Sequence, residues 1–554
     1  MNLSELSQCI ESYVAESSKY CLFPYVSGDE KYSNLDSIAE VISENTPEVK
    51  WEHEVRVAGR VMALRIHGAL AFVDLVNEGY RIQLYLTKDT LKENYEWFTD
   101  NVRRGDILWA KGKLFRTKRG ELSINVSQYR LLAKSLMALQ HTWIGIEDPE
   151  LRYRKRYLDL VLNKESFEVL KARFNVLKEI RLWMYQQGFY EADTPIIQPI
   201  YGGAAANPFK TYVNALSEEW YLRIAPELYL KRLLVGGFNK VFEVAKVFRN
   251  EDIDVTHHPE FTMMEAYIAY ADYEDMMKLA EELLYSIATR LVGSSIIRYP
   301  IDIEKCGRSI IDEMDDEVVT ELLEYTLWSY SGFKKKRDVS KNDLNELRRD
   351  PVKYLYKAIG EPRLYIELDL KPPYPRVKLL ELLRKHLEID PETTPDEHLV
   401  KLLREKQVVL RGGYSRDIAL VKLFEHYIEK SLVKPVFVID YPRGSSPLAK
   451  PHRADPRLVE RFELFVGGME IANGYTEQNN PYEQYAAFRD QEERRKLGDI
   501  EAQEADYDFV EALCVGMPPA GGIGIGVDRL IMLFTGKTSI KEVIPFPMVK
   551  KGSK

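Results

Sequence analysis

Cysteine is scarce. The 554 residues hold four, Cys9, Cys21, Cys306 and Cys514, scattered with no C-x-x-C pair. Neither a zinc knuckle nor a disulfide framework is indicated, and a reducing, cytoplasmic location is expected. No apolar run is long enough to span a bilayer. The start, Met1-Asn2-Leu3-Ser4-Glu5, lacks the basic region and apolar core of a secretory leader. No membrane partner is expected. Positive charge is not in surplus either: 77 Lys and Arg against 86 Asp and Glu leave a net charge of −9. That argues only weakly against nucleic acid, because a local basic face can still bind phosphates.

What is present is a large, charged, globular chain. Apolar residues make up 45% and charged residues 29%, and the length predicts two or three domains. Residues 1–50 show a helical pattern (Leu3, Leu6, Ile10, Val14) and then a polar stretch. From Val55 the pattern turns to short alternating strands: 55–61, 71–75, 81–86, 107–112 and 121–126, with a helical interlude near 90–101. Five such strands describe an OB-fold barrel, which binds single-stranded nucleic acid by stacking bases on aromatics. Phe72 and Gln83 fall on adjacent strands and could stack on bases and read their edges. Alternation alone favours a core position for Phe72 by roughly two to one. Residues 145–165 form a basic connector (Arg152, Arg154, Lys155, Arg156), on its face a solvated linker.

Two motifs carry chemistry. The first is Val247-Phe248-Arg249-Asn250-Glu251, followed by His257-His258-Pro259-Glu260-Phe261-Thr262-Met263-Met264-Glu265. It predicts two antiparallel strands joined by a long polar loop, with charges held rigidly at its base. An arginine so placed grips a phosphate in a planar fork; alone, it could equally be a surface hairpin with an ordinary ion pair. The second is Gly521-Gly522-Ile523-Gly524-Ile525-Gly526-Val527-Asp528-Arg529-Leu530. Its glycines let a flat ligand approach the backbone, and Arg529 falls in the first turn of a predicted helix. It lacks the Gly-Lys-Ser/Thr ending of a phosphate loop and the surroundings of a dinucleotide fingerprint.

Together these resemble motifs 2 and 3 of the class II aminoacyl-tRNA synthetases, with Gly188-Phe189-Tyr190-Glu191-Ala192-Asp193-Thr194-Pro195 resembling motif 1, in the right order. Gly202-Gly203-Ala204-Ala205-Ala206-Asn207-Pro208-Phe209, Leu222-Arg223-Ile224-Ala225-Pro226-Glu227-Leu228-Tyr229 and Glu470-Ile471-Ala472-Asn473-Gly474-Tyr475-Thr476-Glu477 resemble, more narrowly, the lysyl-tRNA synthetases of class IIb. The resemblance covers roughly 52–290 and 410–548. It implies a multidomain α+β protein: an N-terminal helical extension (1–50), an OB-fold anticodon-binding domain (51–145), a hinge (146–165) and a catalytic domain (166–554) on an antiparallel sheet flanked by helices. Between about 295 and 405 the family pattern fades into a charged, mostly helical insertion that reads as enlarged. It contains the basic run Lys334-Lys335-Lys336-Arg337, a solvated loop or an extra tRNA contact. The resemblance also places tRNA against the hinge, which implies a phosphate contact among Arg152, Arg154, Lys155 and Arg156.

The resemblance also implies the site. Arg249 holds the α-phosphate of ATP, Arg529 the γ-phosphate, and Phe261 stacks on adenine. Glu251 and His257 lie in the loop that contacts ATP. Glu463 and Glu470, seven apart on a strand-like segment, bind Mg2+, a hard ion that prefers carboxylate and phosphate oxygens; without the family they read as edge-strand charges. Glu227 and Glu477 face the side-chain ammonium of L-lysine, and Tyr267 orients it. Glu265 and the backbone at Gly203 receive the α-amino group. Asn473 meets the substrate carboxylate and Tyr475 lines the alkyl stem. In the barrel the family reverses the preference for Phe72, which stacks on an anticodon base, while Arg65, Gln83 and Glu121 read base edges. Partners follow: ATP, L-lysine, a tRNA with a lysine anticodon, and a second copy in a homodimer. The acids at Glu227, Glu265 and Glu477 argue against an aspartate or asparagine enzyme. The barrel argues against the elongation-factor lysyltransferase relative. The presence of Arg249, Arg529 and the magnesium acids argues against an RNA-binding relative that has lost catalysis.

Overall fold

The computed structural model describes residues 35–44, 53–136, 139, 146–306, 311, 314–331, 339–408, 410, 413–499 and 502–550. The helical pattern at Leu3 to Val14 and the basic run at Lys334 to Arg337 lie outside them. The chain divides into two compact units, Met1–Arg152 with Tyr157–Glu168, and Tyr153–Arg156 with Val169–Lys554.

The first unit is built on five strands: β1 (Glu54–His67), β2 (Leu70–Asn77), β3 (Tyr80–Thr87), β4 (Ile107–Arg116) and β5 (Leu122–Ala133). They close into a barrel in the order β1-β2-β3-β5-β4. Strict alternation drives the closure. Val55, Val57, Val73, Leu75, Ile82 and Leu84 point inward and are buried, and their neighbours point out. Helix α1 (Glu93–Asn101), between β3 and β4, adds Tyr95 and Phe98 to this core. The interlude predicted near 90–101 is this helix.

The second unit is built on an eight-stranded sheet. Its strands are β6 (Tyr190–Glu191), β7 (Lys240–Phe248), β8 (Glu260–Ala269), β9 (Arg376–Lys378), β10 (Val436–Pro442), β11 (Leu458–Val466), β12 (Met469–Thr476) and β13 (Ala520–Gly526), in the order β9-β10-β11-β12-β13-β8-β7-β6. The six central strands run antiparallel, and β6 and β9 join the edges in parallel. Helices α2 (Lys164–Gln186) and α4 (Tyr273–Ile287) contribute to the core through Val176, Ile180, Met184, Met276, Leu283 and Leu284, together with Phe462, Leu464, Ile523 and Ile525 of the sheet. The intervening α3 (Glu227–Val235) contributes Leu228, Leu230 and Leu234 to a second cluster with Phe509. Asp272 caps α4 with a reciprocal capping box through Asp275, satisfying donors that the first turn leaves free.

Two expectations change here. The segment 295–405 is not simply helical: strands Ile296–Asp302 and Arg363–Asp369 pair antiparallel across seven residues each, and helix Asp316–Ser331 packs on them. Nor is the connector a solvated linker throughout. Pro149–Arg154 and Arg156–Leu162 are helices, and Arg156 is buried. Its guanidinium donates to the carbonyls of Lys541, Ile544 and Pro545, which occupies three of its five N–H donors within the protein.

Candidate active site

The predicted hairpin is present. β7 and β8 pair with Phe248 opposite Glu260, and the Arg249 amide donates to the Pro259 carbonyl at 2.9 Å, closing the loop at its base. The half-buried Arg249 guanidinium lies 5.1 Å from the Phe261 ring centre. Burial pushes it below its ordinary value, against the pull of Glu251, Glu470 and Glu265, and it stays charged. The paired histidines separate. His257 Nε2 accepts from Arg529 at 3.0 Å, so its proton sits on Nδ1, which faces Asp254 at 2.8 Å. His258 instead fastens the chain's last turns: Nε2 accepts from the Met548 amide at 2.9 Å and Nδ1 donates to the Glu260 carbonyl.

The sheet register explains why so many of the motif residues meet. One row across β8, β13, β12 and β11 reads Glu265, Gly524, Asn473, Glu463; the next reads Tyr267, Gly522, Tyr475, Arg461. Residues in register share a face, so these side chains project to one side. Ile523 and Ile525 project to the other, into the core. The glycines of β13 thus form a floor with no side chains. A Cβ on Gly522 would fall on the Glu477 carboxylate and on the Tyr267 ring. Where β13 runs into the following helix, Arg173 and Asp528 form a buried pair, and Asp528 also accepts from the Thr262 amide at 2.7 Å. Asp528 therefore anchors helix α5 (Val527–Thr535), which carries Arg529. Arg529 donates to the Glu470 carbonyl at 2.9 Å and to its carboxylate at 3.1 Å.

Above the floor is a cavity of about 520 Å³. Every residue that the sequence assigns to ATP, lysine or magnesium lines it: Arg249, Glu251, His257, Phe261, Glu463, Glu470 and Arg529 among them, with Gly203, Glu227, Glu265, Tyr267, Asn473, Tyr475 and Glu477. At one end Tyr475 donates to Glu227 at 2.5 Å and Tyr267 to Glu265 at 2.9 Å. The Gly203 amide faces Gln503 at 3.3 Å. Burial, with Glu227 close by, pushes the Glu265 carboxyl up to about 8, and burial raises Glu477 well above the carboxylate range. Such carboxyls call for a cation.

The acids expected at magnesium sit differently from the reading of one strand-like segment. Glu463 is on β11 and Glu470 on β12, with a turn at Gly467 and Gly468, both at positive φ, between them. The hairpin brings the two carboxylates to neighbouring interior strands rather than a sheet edge. Burial lifts Glu463 to about 7, with Glu470 adding to it, although Arg461 donates to it at 2.5 Å. Glu429, beside both, is lifted to about 8. No group of three metal-ligating side chains is assembled among the described residues. Two carboxylates fit Mg2+ held jointly with phosphates, as that ion usually is. The sequence assigns no site role to Arg461 or Gln503, which line the cavity, or to Glu429 beside the two acids; only the register or the tertiary fold brings them there.

On the barrel, Phe72 is half-exposed and outside the core. Alternation is correct, but the parity favours Ala71 and Val73 as core. Phe72 packs against Tyr85 (5.3 Å between centres), and Tyr85 against Phe115 (5.4 Å). These two aromatics extend the platform and share its outward parity. Gln83 accepts from Ser123 at 3.0 Å, Arg65 pairs with Asp74 at 2.9 Å, and Glu121 pairs with Arg81. Phe72 and the three expected base-edge readers thus lie on the wall formed by β1, β2, β3 and the residue just before β5.

A closed five-stranded barrel and an antiparallel sheet with two arginines and an acidic recess define the synthetase architecture. Residues 148–550 match the family model of tRNA synthetases class II (D, K and N), and residues 55–132 match that of the OB-fold nucleic acid binding domain. The chain belongs to the class II (D, K and N) tRNA synthetases. Within it, the chain is 44% identical to the lysine–tRNA ligase of Saccharolobus solfataricus, over 89% of this chain and 87% of that one. It is 43% identical to the lysine–tRNA ligase of Methanoculleus marisnigri (90% and 86%) and 41% to that of Thermotoga maritima (91% and 87%).

Proposed function

We propose that this protein is a lysine–tRNA ligase. It activates L-lysine with ATP to lysyl-adenylate and pyrophosphate, then transfers the lysyl group to the 3′ end of a tRNA with a lysine anticodon. The observation that carries this is a single cavity lined both by the buried carboxyls Glu227, Glu265 and Glu477 and by the guanidinium groups of Arg249 and Arg529. The first step needs no base: the substrate carboxylate is already an anion and attacks the α-phosphate in line. Catalysis is positioning and charge neutralisation. Arg249 holds the α-phosphate, Arg529 the γ-phosphate, and Phe261 the adenine, with Glu251 and His257 in the loop over ATP. Glu463 and Glu470 would hold Mg2+, which would supply charge neutralisation for the phosphates.

Glu227 and Glu477 take the side-chain ammonium, oriented by Tyr267, and Tyr475 lines the stem. Glu265 and the Gly203 backbone take the α-amino group, and Asn473 meets the carboxylate. Leucine or methionine would strand a buried carboxylate without a cation, which is costly. Anticodon bases stack on Phe72, with Arg65, Gln83 and Glu121 at their edges. Such an enzyme works in the cytoplasm and as a homodimer. Exposed apolar side chains support the dimer: Phe174 (57%) and Tyr185 (50%) on α2, then Tyr190 (66%), Ile196 and Ile197 just beyond.

Lysine-dependent exchange of labelled pyrophosphate into ATP tests the activity. Exchange with aspartate and none with lysine would refute it.

A further inference from the structure

Two carboxylates for one side-chain ammonium is one negative charge too many for a buried recess. Lys231 removes the excess. It lies on α3 one turn after Glu227 and is fully buried. Its Nζ donates to Glu227 at 2.5 Å and pairs with the second oxygen of Glu477. It also lies 5.3 Å from the centre of the Tyr475 ring and 5.9 Å from that of Phe509. Yet Lys231 does not line the cavity, whereas Glu227 and Glu477 do. The ammonium therefore stands behind the carboxylates. Both Glu477 oxygens are buried, and apart from this ion pair neither has a hydrogen-bond partner; the first lies over Gly522.

The count is simple. With lysine bound, Glu227, Glu477 and Glu265 carry three negative charges and Lys231 one positive. The net of two matches the two ammonium groups of lysine. We propose that Lys231 is a positioning residue that sets the charge of the amino-acid pocket: from behind, it neutralises one of the paired carboxylates, so that the pair accepts one side-chain ammonium. This deepens, and rests on, the reading of the cavity as a lysine pocket.

The titratable groups around Lys231 are Glu227 on its own helix, Glu477 and Tyr475 at the end of β12, and Tyr267 and Glu265 on β8. Both phenols are held un-ionised by burial. Without the Lys231 ammonium, two buried carboxyls side by side would share a proton. A substrate ammonium would then have to lower the affinity of that proton, and binding would improve as pH rises.

The test is pyrophosphate exchange at pH 7 to 9 with wild type, Lys231→Met and Lys231→Met/Glu477→Gln. In Lys231→Met the lysine KM should rise about tenfold at pH 7, the equivalent of roughly one pKa unit. The excess should shrink towards pH 9, with the ATP KM moving less than twofold. In the double variant the shared proton has no site, so its excess over wild type should be independent of pH. A lysine KM like wild type, an excess constant with pH in Lys231→Met, or lysine and ATP KM rising together would overturn the proposal. If Lys231→Met does not fold, the charge-balanced double variant should; failure of both would make Lys231 a core residue only. Wild type without lysine-dependent exchange would refute the lysine reading itself.

Discussion

A single methyl group on the glycine floor should separate binding of the amino acid from binding of ATP. Gly522 lies opposite Tyr267 on one strand and Tyr475 on the other. A Cβ there would overlap the Glu477 carboxylate and come within 2.5 Å of Tyr267 Cε1. Neither neighbour can step aside cheaply. Glu477 is 1% exposed and pinned by Lys231, and Tyr267 is 3% exposed and bonded to Glu265. Moving Glu477 forfeits one hydrogen bond to a charged group, about 1.5–3 kcal/mol. Gly522→Ala should therefore raise the lysine KM by roughly 10- to 150-fold. Overpacking should lower stability by about 1–3 kcal/mol. The adenine and phosphate end, at Phe261, Arg249 and Arg529, has no contact with this methyl, so the ATP KM should hold. Gly236→Ala is the control: its φ is −72° and the nearest atom to a new Cβ is 3.4 Å away. Pyrophosphate exchange over a lysine series reads both constants. An unchanged lysine KM in a folded Gly522→Ala protein would refute the assignment of Glu477 to the ammonium; equal loss for lysine and ATP would mean general misfolding.

Three further outcomes follow. Arg249→Ala should lower adenylate formation by about two orders of magnitude or more, with a smaller effect on lysine binding, because the charge it stabilises develops in the transition state; a fully active variant would assign the α-phosphate to another cation. Phe72→Ala should weaken tRNA binding by about 1–3 kcal/mol and leave pyrophosphate exchange nearly untouched; unaltered charging would return Phe72 to a purely structural role. Glu265, lifted to about 8, is protonated in the free protein below that pH and must be ionised to hold an ammonium. Its proton is lost more readily with lysine bound, so the lysine KM should fall as pH rises from about 6.5 to 8 and Glu265→Gln should abolish this trend; a flat wild-type profile would count against the role.

The local pattern of the chain determines its elements. Alternation at Val55 to Val61, Ala71 to Leu75 and Arg81 to Leu86 dictates barrel strands, because a pleated strand turns every second side chain to the same face. The Arg249 hairpin and the Gly-Ile alternation before Arg529 are legible for the same reason. Side-chain chemistry along the chain also tells which groups suit phosphate and which suit an ammonium. Partnership across the sheet is not legible, since register joins residues far apart in sequence. Glu463 and Glu470 look like one strand until the turn at Gly467 and Gly468 folds them side by side. Phe72 is ambiguous between core and surface until the barrel sets its parity. Lys231 reads as an ordinary helical lysine. Only the tertiary structure closes α3 against the end of β12, takes that ammonium out of water and sets it behind two carboxylates some 250 residues apart. Burial, not residue type, decides what such a charge does.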